Sequence, residues 1–410
     1  MLYRLLRRMD TGHFENEVFS LTDFGSLAEK IRVAQVPVRA LGMKRGIPNP
    51  FSVVRLLQWI RKSKPQIIHT WMYHANLVGG LAARLAGDIP VVWSIHQANL
   101  DPQLNKSRTI WTARGCARMS RWLPRCVVFV SQAALLLHTA LGYAGKRMEV
   151  VPNGFDLEQF KPDPIGHASV REELGIPAET PLIGMAAHFR PEKDHRNFVQ
   201  AAARLHTHLP QVHFVLCGIG VTHDNPQLVK WIAEAGIQAH CHLLGLRGDL
   251  PRLFSAIDIA TSSALSEAFP LAVGEAMACG TPCVVTDVGD SALIVGETGR
   301  VVACGNPDAL AEAWRELMDA GPEMRRHLGM AARGRVQQHF ALSAIVERYQ
   351  SIYTQLAKPS NTREFIFPTL GTHPPRTLGL GGPLSDEESH LEPTCQTVRA
   401  EVLHGRHIPR

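Results

Sequence analysis

Short apolar runs alternate with helical patterns along most of the chain, and this alternation restricts it to few folds. A short apolar strand stays buried on both faces only if helices cover it, so strand–helix repetition points to parallel sheets layered with helices. In the first half the strand-like runs are 17–21, 66–70, 90–95 and 126–130, and the helical patterns are 50–62, 74–86, 108–122 and 131–141. Val150-Val-Pro-Asn-Gly-Phe-Asp156 reads as a turn-rich exit from a short strand, and 161–167, rich in Pro, Gly and polar residues, reads as a linker. The pattern then restarts, with strands at 181–187, 212–217, 242–244, 257–261 and 283–286, helices at 194–208 and 250–256, and helical sequence over 307–357. At 410 residues the chain exceeds one ordinary domain. The expected architecture is α/β, with two Rossmann-like doubly wound domains facing a cleft and ligands at the carboxyl ends of the strands. We expect a first domain over 1–160, a second over 168–340, a helix over 341–357 returning to the first domain, and a disordered tail over 358–410. The tail is rich in Pro, Gly, Ser, Thr and His and lacks periodicity.

No apolar run reaches the roughly 18 residues needed to span a bilayer, and Met1-Leu-Tyr-Arg-Leu-Leu-Arg-Arg8 has no signal-peptide core. These features predict a cytoplasmic protein. The eight cysteines show no Cys-x-x-Cys or Cys/His zinc spacing, so reduced, mostly buried thiols are expected. Residues 1–130 carry 19 Lys/Arg against 7 Asp/Glu, whereas the remaining 280 carry 24 against 30. A basic half suits anionic lipid or a phosphate-bearing acceptor, and reads about as well as solvated surface. Nucleic acid is not expected, since no recognised binding motif accompanies the charge. Within 108–122, Arg108, Arg114, Arg118 and Arg121 accompany Trp111 and Trp122, a mixture that suits a peripheral position at the inner face of the cell membrane or an ordinary exposed basic helix.

The most chemical stretch is Ser266-Glu-Ala-Phe-Pro-Leu-Ala-Val-Gly-Glu275. Pro270 suits a first helical turn, and Gly280-Thr-Pro282 ends that helix. Free N–H groups at the helix start make an anion site, with Glu267 on the loop before it and Glu275 about one turn further in. Carboxylates beside an anion site suit a phosphorylated sugar compound.

Taken in order, Asn153-Gly-Phe-Asp156, Pro191-Glu-Lys-Asp-His195, Gly218-Ile-Gly220, Leu243-Leu-Gly245, Ser266-Glu-Ala-Phe-Pro270, Glu275-Ala-Met-Ala-Cys-Gly-Thr-Pro282 and Thr286-Asp-Val-Gly-Asp290 resemble the retaining glycosyltransferases of family 4, which have the GT-B fold. The resemblance covers roughly 1–355. It implies transfer of a sugar, with retention, from a nucleotide-diphosphate sugar to an acceptor hydroxyl. A UDP-sugar is favoured over a GDP-sugar, and the acceptor is a glycan or lipid-linked glycan of cell-surface polysaccharide synthesis. It implies that Glu275 binds the ribose hydroxyls and that Glu267 faces the transferred sugar. Ala268, Phe269, Pro270 and Leu271 would hold the sugar and diphosphate through backbone N–H groups, while Lys193 neutralises the diphosphate. Gly218 and Leu244 belong to the same donor site. His96, at a strand end, would reach the reacting centre with Glu267, and His69 and His74 would line the acceptor side. The family needs no metal and no cofactor.

Three departures stand out. His188 occupies a position where arginine is usual, with Arg190 nearby as a partial substitute. Ala268 replaces a glycine. The first domain lacks the initial strand and Gly-rich loop of the family, because 1–10 already reads as the helix after that loop. Two other readings therefore stay open: a non-catalytic nucleotide-sugar binding protein, and a nucleotide-sugar epimerase on the same fold.

Overall fold

The computed structural model describes residues 1–25, 27–44 and 50–357, so the expected tail lies outside the described residues. Residues Met1–Ala357 form one unit. Its second half is built on a six-stranded parallel sheet: β7 (Leu182–Ala186), β8 (His213–Cys217), β9 (Cys241–Leu243), β10 (Ile259–Ser262), β11 (Cys283–Thr286) and β12 (Arg300–Val302). They lie in the order β12-β11-β10-β7-β8-β9. Read from β9 this is a 3-2-1-4-5-6 doubly wound sheet, and the winding reverses between β7 and β10, where such sheets bind ligands. β11 is buried at every position, as an apolar run between two helical layers must be.

The first half holds two separate parallel sheets. One pairs β1 (Val18–Ser20) with β2 (Val38–Ala40). The other runs β3 (Ile68–Trp71), β4 (Val91–Ile95), β5 (Cys126–Phe129) and β6 (Met148–Val150) in that order. Among the described residues no strand joins β1 to β3, and the chain enters on the helix Leu2–Arg8. The helix Leu342–Ala357 packs Ile345, Tyr349, Ile352 and Tyr353 against Leu5, Val92 and Val128, which seats it on the first-half sheet. Phe155 binds the same return segment through its backbone. Its N–H donates to Phe340 O at 2.9 Å, and its carbonyl accepts from Leu342 N–H at 2.9 Å.

Some boundaries differ from expectation. The supposed linker 161–167 contains the start of the helix Pro164–Glu173; Asp163 caps it by accepting from Gly166 N–H at 2.9 Å. The polar residues there are a helix start rather than a linker. Strands β2 and β12, three residues each, go unpredicted. The helix Pro226–Glu234, capped by Asn225, also goes unpredicted. Cys116, Cys126, Cys217, Cys241, Cys279 and Cys283 are buried free thiols. No helix among the described residues is long and apolar enough to cross a membrane.

Candidate active site

Two loops leave the carboxyl ends of β7 and β10, where the winding reverses. The first ends in the 3-10 turn Pro191–Lys193. The second runs from Ser263 to the helix Leu271–Ala278, with Pro270 at its N-cap. Buried Ser263 ties the loops together by donating from its hydroxyl to Lys193 O at 3.1 Å and Asp194 O at 3.0 Å. Leu265 N–H adds a bond to Glu192 O at 2.9 Å. Thus tethered, the Lys193 ammonium forms an ion pair with Glu267. Glu275 lies on the helix, 5% exposed. Burial raises the pKa of its carboxyl group, while the Arg4 guanidinium opposes that rise. That helix can sit so close because residue 274 is glycine: a Cβ there would lie 2.1 Å from the Phe155 ring.

These groups border a cavity of about 350 Å³ whose walls include His188, Lys193, Gly218, Glu267, Phe269 and Glu275. Gly218 has φ +147°, and a Cβ on it would meet Ala187 O at 2.1 Å, so the loop after β8 can pass only as glycine. Beside it, His188 Nδ1 accepts from Ile219 N–H at 3.1 Å. A larger hollow of about 530 Å³ lies between the helices His195–His208 and Pro307–Asp319. Its charges are already matched as Arg204–Asp308 and Arg315–Glu312 pairs, and no motif residue reaches it.

The first half contributes from the opposite side. Arg4 reaches Glu275 as an ion pair and donates to Gly154 O at 3.3 Å. Asn99 Nδ2 donates to Ser266 Oγ at 3.0 Å, one residue before Glu267. His96 follows β4 and stacks on Trp71 at 4.9 Å and 18°. Burial lowers its pKa to about 4, leaving the ring neutral at neutral pH.

Comparison with known proteins decides the family. Residues 1–159 match Glycosyltransferase Family 4, and residues 168–335 match Glycosyl transferases group 1. The chain belongs to the family 4 glycosyltransferases. It is 25% identical over 349 residues to the Escherichia coli UDP-Gal:alpha-D-GlcNAc-diphosphoundecaprenol alpha-1,3-galactosyltransferase, covering 82% of this chain and 86% of that one. It is 29% identical over 320 residues to the Mycolicibacterium smegmatis alpha-maltose-1-phosphate synthase, covering 71% and 79%. In fold it resembles the crystal structure of Anabaena Alr3699/HepE in complex with UDP-glucose. The TM-score is 0.75 at 22% identity, over 86% of this chain and 94% of that one, a likeness of fold alone. The GT-B expectation therefore holds.

Within this glycosyltransferase, Phe269, Pro270 and Leu271 join the cavity wall, but three expected donor-site residues do not. Arg190, its side chain 63% exposed, lies 3.7 Å from Glu192 and does not line the pocket. The Ala268 side chain packs into the core, and its carbonyl accepts from Asp290 N–H at 3.2 Å. Leu244 packs behind the wall, which Leu246, Arg247 and Leu250 form instead; strand pairing of Leu244 N–H to Leu216 O turns it inward. Of the two acceptor-side histidines, His69 is held by Tyr353 OH and Ser94 Oγ, each at 2.6 Å, and burial lowers its pKa to about 3. His74 is exposed in the first turn of the helix Tyr73–Gly87, 3.5 Å from Thr112 Oγ1. The sequence carries no local signal that Arg4 reaches Glu275 or that Asn99 reaches Ser266, 271 and 167 residues away.

Proposed function

We propose that the chain transfers a sugar from a UDP-sugar to a hydroxyl of a glycan or lipid-linked acceptor, with retention of anomeric configuration, in surface polysaccharide or lipid-linked glycan synthesis. The observation that carries this reading is the Lys193–Glu267 pair at the switch point of the 3-2-1-4-5-6 sheet, at the start of the helix bearing Glu275. As the glycosidic bond breaks, negative charge grows on the departing diphosphate. A lysine and the free N–H groups of a helix start are the groups that stabilise it without reorganising. Glu267 holds Lys193 in place and faces the sugar; Glu275 accepts the ribose hydroxyls. Neutral His96, held by Trp71, offers a hydrogen bond at the reacting centre. Glu267 is engaged by Lys193 and Glu275 by Arg4, so the scheme assigns charge stabilisation to side chains and backbone and includes no metal. The UDP preference rests on the relatives named above.

Calorimetry with UDP-sugars and GDP-sugars, followed by transfer and hydrolysis assays, tests the reading. Tight UDP-sugar binding and an α-configured product from an α-configured donor, read by NMR, are expected. An inverted product rejects retention, binding without turnover supports the non-catalytic reading, and isomerised free donor supports the epimerase reading. Glu275→Ala is expected to weaken UDP binding about 10-fold or more, since a charged hydrogen bond contributes about 1.5–3 kcal/mol; unchanged affinity rejects its ribose role.

The exposed face of the helix Ser107–Met119 and its exit supports a peripheral membrane position. Trp111 and Trp122 are 69% and 70% exposed, and Arg108, Arg114, Arg118 and Arg121 are exposed beside them. Co-sedimentation with vesicles containing anionic lipid, but not with neutral vesicles, is expected. Equal recovery from both rejects the membrane reading.

A further inference from the structure

We propose that Asp290 is a positioning residue that ties docking of the first domain to the placement of the Glu267 loop. The inference rests on the reading of Glu267 given above. Asp290 lies in the turn after β11 and is 5% exposed. Its two carboxylate oxygens accept from Gln132 N–H at 2.8 Å and Ala133 N–H at 3.0 Å. Those are the first two residues of the helix Gln132–Ala140, which belongs to the first domain. The cap of that helix, Ser131, takes the next N–H, Ala134, at 3.0 Å. Three of the four N–H groups that a helix start leaves free are therefore satisfied, two of them by an acid from the other half of the molecule. A carboxylate on a helix N-terminus also gains from the dipole there.

The same turn presses on the catalytic loop. Asp290 N–H donates to Ala268 O at 3.2 Å. Gly289, at φ +56°, passes so close that a Cβ would lie 2.1 Å from Glu267 O. Thr286, at the end of β11, donates from its hydroxyl to Ala264 O at 2.6 Å. Asn99 holds Ser266 from the first domain. The segment from Ala264 to Ala268 is thus braced by the β11 turn on one side and by the first domain on the other. Asp290 touches both: its side chain grips the first-domain helix while its backbone grips the loop. Separating the domains removes the carboxylate's partners and frees the turn that fixes where Glu267 points.

Two variants address the two ends of this contact. Asp290→Asn keeps the shape but loses the charge and one acceptor. Gln132→Pro removes the N–H in the other domain at a first helical position, where proline is well accommodated. With wild-type enzyme active on its donor, each variant is expected to lower kcat 10-fold or more with a smaller change in the Kd for UDP, because Glu275 keeps its place and its partner Arg4. The effects of the two together are expected to be less than additive. Amide hydrogen exchange, which needs no activity, is expected to quicken at 264–268 in both variants, with β8 and β9 unchanged. Unaltered exchange at 264–268 in Asp290→Asn overturns the proposal, as does a kcat within twofold of wild type, or a parallel loss of UDP affinity and thermal midpoint. Wild-type protein that binds UDP yet turns over no sugar nucleotide sinks the transferase reading instead, and the exchange result still decides the role of Asp290.

Discussion

Glu275 is buried, and Arg4 brings it an opposite charge across from the first domain. Replacing that arginine by an apolar side chain leaves the carboxylate desolvated and unpaired. We expect Arg4→Met to cost about 1–3 kcal/mol at pH 7, measured by urea unfolding. The sign of its pH dependence follows from the raised pKa of Glu275. A carboxyl group whose folded pKa lies above its unfolded value favours folding at low pH and loses that contribution as pH rises through the folded value. The penalty of Arg4→Met is therefore greatest near neutrality and shrinks as pH falls toward 4.5; a flat ΔΔG across that range contradicts the pairing. In the reaction proposed above, Lys193 acts differently, through the transition state. Lys193→Ala is expected to reduce kcat by about 10²–10³-fold, the scale of losing one preorganised stabilising group. A loss confined to KM in steady-state kinetics rejects that role. Lys193, Glu267 and Glu275 could be read from the sequence because each lies in a short run whose turn chemistry is local. Arg190 and Leu244 do not line the cavity, because a side chain's direction at a loop or strand end depends on its partners, here Glu192 in the same turn and the neighbouring strand at Leu216.

Elements meet at positions where composition hides the constraint. Gly274 looks like a helix-weakening residue, yet the Phe155 ring occupies the space its side chain would take. Gly274→Ala is expected to destabilise by about 1–3 kcal/mol through overpacking, read as a lowered thermal midpoint, and Phe155→Leu is expected to recover part of it. The Asn153-Gly-Phe-Asp156 and Glu275 motifs are thus two faces of one contact, which no single-motif reading joins. A second meeting point is the histidine cluster between β8 and β9. His213 Nδ1 lies 2.9 Å from His242 Nε2, and the His240 ring lies 4.8 Å from His213 and 4.3 Å from His206. Burial first, then the neighbouring rings, lowers the pKa of His213 to about 4 and moves those of His206 and His242 down. The unfolded chain, near 6.5, binds more protons between these values, so stability falls as pH drops from about 6.5 to 4. Calorimetric midpoints should decline over that window, and His213→Phe should flatten the slope. Identical slopes in the two proteins refute the contribution of the cluster.

At the scale of the molecule, alternation of strand and helix was enough to predict two doubly wound halves, because continuous apolar runs such as Cys283–Thr286 cannot be buried otherwise. What joins the halves was not legible. Asp290 to the backbone of residues 132–133, Asn99 to Ser266 and Arg4 to Glu275 are polar contacts over 150 positions apart, with no periodicity to announce them. The split sheet of the first half has a different consequence. The β1–β2 pair is held to its surroundings by side chains, with Leu6, Ile31 and Val36 on one side and Leu41, Leu56 and Ile60 on the other, and not by a shared hydrogen-bonded ladder with β3. Cooperativity passes poorly across such a seam. The amides of 18–20 and 38–40 should therefore exchange through a shallow local opening while β4 and β5 wait for global unfolding. Within residues 1–357, a protease added under native conditions should cut in this segment before it cuts the six-stranded half.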